Sequence, residues 1–144
     1  MNNIHSITIN KASAIEGMHE RIQDVKSALE QRINLTEYSE NLQTVTLNYS
    51  VVLRVCLLAG LSDKSPRSVE DVEKYGLKVS NTPYATTFFT KANIGHLFAV
   101  LVKLRYCDVE ANWQEGRWLS RVLGREILRG REILLKEGGI DAWL

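Results

Sequence analysis

The stretch from Tyr49 to Ala59 is apolar on most sides when wound as a helix, and Gly60 follows it. A helix of that kind has no face to give to water, so other elements must surround it, which predicts a layered helical domain with this segment at its centre. Asn48 or Ser50 can cap its start and Gly60 can end it. With 144 residues the chain has enough material for one such domain without disulfide staples. The apolar run from Val51 to Leu61 is interrupted by Arg54 and Gly60 well short of the roughly 20 residues a membrane span requires. The segment Met1 to Asn10 lacks the apolar core of a secretion signal, which predicts a cytoplasmic protein with no membrane partner.

Other segments supply the surrounding layers. Ile15, Met18, Ile22, Val25 and Leu29 form a 3-4-3-4 seam, predicting an amphipathic helix over Ala12 to Gln31 that packs on the domain's own core. From Arg32 to Thr36 polar residues alternate with Ile33 and Leu35, the pattern of a short half-buried strand. Thr36 can cap a following helix buried through Tyr38, Leu42 and Val45. Leu61 to Ser80 reads as a connection with one short helix, Ser68 to Lys74, and Thr86 to Phe89 as strand or buried loop. Ala92 to Tyr106 returns to helical spacing, and a last long helix runs from Arg117 to about Glu137, before Gly138 and Gly139. The expected fold is a mainly α, compact helical domain with a short N-proximal strand. It spans residues 1–144 as one domain, 1–31 being an N-terminal extension and 32–137 the core.

Catalytic motifs are absent from the sequence pattern. His5, His19 and His96 stand apart, with no Cys or carboxylate at metal-ligand spacing, and there is neither a phosphate-cradling glycine motif nor a nucleophile elbow. No enzyme activity, cofactor or metal is expected. Cys56 and Cys107 have apolar or aromatic neighbours and are expected to be reduced, buried packing residues.

Charge is informative only locally, because Lys plus Arg total 18 against 17 acidic residues, a formal net charge of +1. In the last helix, Arg117, Arg121, Arg125 and Arg129 recur every four residues and so share one drifting stripe. From Arg117 to Lys136 six basic residues, Arg131 among them, face two acidic ones, a local +4. Guanidinium forks pair bidentately with phosphate oxygens, so a stripe of this kind can follow a nucleic-acid backbone; it can equally dock an acidic protein, or be a solvated face. The repeat Gly-Arg-Glu-Ile at Gly124 and Gly130 places glycines inside a helix, at about 1 kcal/mol each relative to Ala, which predicts close approach by another backbone in packing or in an oligomer. The order strand, helix, helix from Arg32 to Gly60 is also that of a ribbon-helix-helix regulator, in which Arg32, Asn34 and Thr36 would read base edges.

Several short motifs in this order resemble the DndE family, the small subunit of bacterial DNA sulfur modification. They are Arg32-Ile33-Asn34-Leu35-Thr36, Leu42, Arg54-Val55-Cys56-Leu57-Leu58, the Leu97-Phe98 to Arg105 helix, and Leu128-Arg129-Gly130 with Ile133-Leu134. The family's Cys-Arg order is reversed here, and its Glu-Phe-Asn-Arg segment has only Ser80-Asn81 in its place. The resemblance implies a helical homo-oligomer, dimer or tetramer, that binds DNA at nicks or ends. It would do so beside a cysteine desulfurase, a sulfur-transfer enzyme and a chromosome-maintenance-like ATPase, which would carry the chemistry of DNA phosphorothioation. Together these readings make Arg32, Asn34, Thr36, Arg117, Arg121, Arg125, Arg129 and Arg131 the candidate DNA contacts.

Overall fold

The structure, a computed structural model, describes residues 12–35, 44–84, 94–109 and 115–143. In chain order its elements are β1 (Ser13–Ile15), α1 (Met18–Arg21), α2 (Gln23–Asn34), α3 (Tyr49–Ser62), α4 (Val69–Glu73), β2 (Val79–Pro83), α5 (Ile94–Arg105), α6 (Gly116–Leu135) and α7 (Gly139–Trp143). The protein is mainly helical, with one short antiparallel sheet in which β1 pairs with β2, Ser13 opposite Pro83 and Ile15 opposite Val79.

As its composition demands, α3 is the central helix. Val52, Leu53, Cys56, Leu57, Ala59 and Leu61 are all buried. Asn48 caps it by accepting a hydrogen bond from the Val51 backbone N–H at 2.9 Å. The helix does not stop at Gly60 but continues to Ser62, because Gly60 serves a different purpose. A Cβ built there would lie 2.0 Å from the Glu126 carbonyl oxygen, and one on Gly130 would lie 1.7 Å from the Cys56 carbonyl oxygen. The two glycines let the α3 and α6 backbones touch. A Cβ on Gly124 would lie 2.5 Å from Cγ1 of Ile15. The expected close approach is therefore real, but its partners belong to the same chain, and these glycines do not form a contact between copies.

The seam Ile15, Met18, Ile22, Val25 and Leu29 is buried throughout. It belongs to one core cluster that runs from Ala12 to Leu134, so residues before 32 are built into the same core as the rest. A single helix over Ala12 to Gln31 is nonetheless replaced by three elements. Gly17 takes a left-handed φ of 73°, which ends β1 and starts α1, and α2 follows after Ile22. Pairing with β2, out of sight of any local pattern, turns Ser13 to Ile15 into strand, and the Ser13 N–H is held by Ser120 Oγ of α6 at 2.8 Å.

The N-proximal strand is thus Ser13–Ile15, and the expected strand over Arg32 to Thr36 is corrected. Arg32 to Asn34 form the last turn of α2, and Leu35 is its C-cap. Two apolar residues in alternation are too few to overrule a helix already running through Leu29. This removes the ribbon-helix-helix element. The helix expected from Thr36 falls in residues 36–43, outside the described residues, and Thr44 to Asn48 are not helical. Thr86 to Phe89 also lie outside them. The short helix over Ser68 to Lys74 is present as α4, with Ser68 Oγ accepting from the Asp71 N–H at 3.1 Å. Cys56 is buried, whereas Cys107 is exposed, a correction that follows from its place in the turn after α5. No helix among the described residues is long and apolar enough to cross a membrane.

Candidate nucleic-acid interface

The arginine stripe of α6 divides in two. Arg117 is exposed and Arg121 partly so, and both line an open groove of about 490 Å³ with Glu73, Gly76, Leu77, Lys78 and Val79. Neither arginine makes an ion pair or hydrogen bond with a described residue. Lys78 adds a third cation, loosely held 3.6 Å from Glu16 with both side chains mostly in water. Its arrival depends on the Gly76 turn, where φ is 55°, and on the β2 strand that starts at Val79.

Arg125 and Arg129, by contrast, are buried, with relative exposures of 5% and 9%. Arg125 stacks on the Tyr75 ring at 4.5 Å, and its Nε sits 3.3 Å from Asp71 Oδ2. Arg129 donates to Asp71 Oδ2 at 2.6 Å and to Glu126 Oε2 at 3.2 Å, with Asp63 at 3.7 Å. Glu126 is fully buried and also accepts from Arg67 at 2.7 Å and from the Tyr106 hydroxyl at 2.7 Å. Arg67 further donates to the Gly60 carbonyl at 2.9 Å, joining the cluster to the α3–α6 contact. Burial, and then the Glu126 charge, push the Tyr106 hydroxyl pKa well above its ordinary range, so it stays a donor. Three arginines meet three carboxylates, and the cluster is neutral within the fold. The expectation that Arg125 and Arg129 extend a DNA-facing stripe is corrected accordingly.

The remaining candidates are also placed. Arg131 forms a bidentate pair with Asp24 across α6 and α2, and that hydrogen bond holds the Asp24 carboxyl below its usual pKa. Arg32 pairs with Asp141 of α7 at 2.6 Å. The Asn34 amide is occupied twice by the Val45 backbone, at 3.2 and 2.9 Å. Thr36 lies outside the described residues. Of the candidate residues, the structure brings Arg117 and Arg121 together at a solvent-open groove. Lys78, which the sequence reading did not single out, joins them; no helical spacing relates it to α6, so only the chain fold makes it visible.

No group of three His, Cys, Asp or Glu among the described residues is close enough to hold a metal ion. Burial raises the Cys56 thiol to about 12, which keeps it protonated and a poor nucleophile. The His19 ring stacks on Tyr49 at 4.2 Å, beside a second open cavity of about 430 Å³. No protein-family model, curated protein or solved structure matches the chain.

Proposed function

We propose that this chain is a non-catalytic accessory subunit that grips the sugar-phosphate backbone of DNA, with little base preference, in a DNA phosphorothioate-modification complex. One observation carries the DNA part of the reading. Arg117 and Arg121, one helical turn apart, stand with Lys78 around an open groove and have no partner among the described residues, while the other α6 arginines are paired with carboxylates of the chain itself. Cations one turn apart match the reach between successive phosphates, and contacts to phosphate carry no base information. The sulfur-modification setting, with its desulfurase, sulfur-transfer and ATPase partners, rests on the sequence resemblance alone.

The test is binding of intact and nicked duplexes of random sequence, followed by fluorescence anisotropy across salt concentrations. Each phosphate neutralised contributes about 0.9 to the slope of log K against log salt, so Arg117→Glu with Arg121→Glu should lower that slope by about 2. Unchanged affinity in the double variant would remove DNA from this groove. Binding of an acidic polypeptide there in place of DNA would convert the reading to a protein-docking subunit.

A further inference from the structure

Tyr75 stands where the two halves of the α6 arginine stripe meet. It precedes Gly76, whose φ of 55° turns the chain from α4 toward β2 and which lines the groove of Arg117, Arg121 and Lys78. Arg125, one helical turn beyond Arg121, stacks its guanidinium on the Tyr75 ring at 4.5 Å. Hydrogen bonds hold that guanidinium only loosely. Nη2 donates to Asp71 Oδ1 at 3.4 Å, and the buried Nε and Nη1 make no hydrogen bond among the described residues, so the ring is a main partner of the buried charge. Arg125 occupies one face of the ring, and Tyr75 still keeps 37% of its surface in solvent.

An aromatic ring clamped from behind loses little freedom when a second π system lies on it. The cation behind this ring draws its electrons toward Arg125, which suits the face away from Arg125 to a large, electron-rich π system. Among nucleobases the purines offer the largest. A base inside a duplex is already stacked on both sides, so only an unpaired base can reach the ring. Cations that track a backbone, set beside an aromatic that takes a base, are the combination by which single strands are held. Lys74 is exposed, with Nζ 5.6 Å from the Tyr75 ring centre, and adds a cation for the phosphate flanking such a base. We propose that Tyr75 is a base-stacking platform at the end of the groove, so that the site takes a DNA strand with an unpaired purine, as in a single strand or a gap, in preference to a fully paired duplex. The proposal rests on the reading of the groove as a DNA site.

The test is the affinity of the full chain, by fluorescence anisotropy, for three DNAs: a single strand of adenines, the same strand with abasic sugars in place of the adenines, and an intact duplex. One stacked base is worth about fivefold or more in affinity. The native chain should therefore favour the adenine strand over the abasic one by at least that factor, although both carry the same phosphates. Tyr75→Leu keeps an apolar cover over Arg125 but offers no π face. It should bind the two strands alike and the duplex as the native chain does, with an unchanged circular dichroism spectrum, while Tyr75→Trp should retain the adenine preference. Equal affinity of the native chain for the adenine and abasic strands, or a preference that survives in folded Tyr75→Leu, would overturn the proposal; continued binding of the duplex would then leave the groove reading standing. Failure to bind any of the three DNAs would overturn both.

Discussion

The two halves of α6 carry the same residue at the same spacing and use it in opposite ways. Arg117 and Arg121 in the first half line a groove open to water, while Arg125 and Arg129 in the second half are buried among carboxylates. The spacing puts all four on one side of the helix, but what lies opposite changes along its length. Beside the first half run the Gly76 turn and the start of β2, and among the described residues lining that groove Glu73, at the end of α4, is the one acid. Beside the second half lie Asp63 at the end of α3, Asp71 on α4, and Glu126 on α6 itself. An arginine can be buried only where fixed carboxylates and acceptors replace its water, so the acidic neighbours, rather than the arginines, decide which part of the stripe stays available.

The comparison breaks most severely at Glu126. Glu126→Ala leaves Arg67 and Arg129 buried against an uncompensated cavity, and removing one member of a buried ion cluster costs about 3–5 kcal/mol. Urea denaturation followed by circular dichroism measures this; a change below about 1 kcal/mol would mean that the cluster does not hold the second half in place. Next in size, Gly130→Ala should destabilise by about 1–3 kcal/mol, because its methyl group would meet the Cys56 carbonyl and force α3 and α6 apart.

The comparison is sharpened by truncating one arginine from each half. Arg129→Ala should lose about 2 kcal/mol, since it strips hydrogen bonds from Asp71 and Glu126. Arg121→Ala should leave stability within about 0.5 kcal/mol while weakening any anion held in the groove. Equal thermal shifts for the two variants would erase the distinction. The smallest effect is acid dependence at the Asp24–Arg131 pair. The Asp24 carboxyl is depressed in the folded state, so its stabilising contribution is present above pH about 4 and fades as pH falls below that, through the folded value. Asp24→Asn should make the acid limb of a Tm-against-pH curve shallower and leave neutral pH little changed, because half of the Asp24 side chain is already in solvent.

Much of the helical scaffold was legible in residue patterns. The α3 helix with Asn48 as one of its two expected caps, the short helix α4, and the buried seam from Ile15 to Leu29 all follow from periodicity and local chemistry, which act over one or two turns. The strand was misplaced because its evidence was equally local. Arg32 to Asn34 alternate in polarity yet complete α2, whereas Ser13 to Ile15 become strand through a partner more than sixty residues away. Cys107 misled for a similar reason: its apolar neighbours in sequence do not bury it, because it stands in the turn that follows α5.

The candidate site was less legible than the fold. Helical spacing correctly put Arg117, Arg121, Arg125 and Arg129 on one side of a single helix, because 3.6 residues per turn is a property of the backbone. It also marked Gly124 and Gly130 as places of close approach. Whether those glycines met another chain or their own, and which arginines remained open to solvent, depended on the positions of α3, α4 and β2 around α6. Those positions are set by long-range packing and by the pairing of buried charges, and neither has a period along the chain.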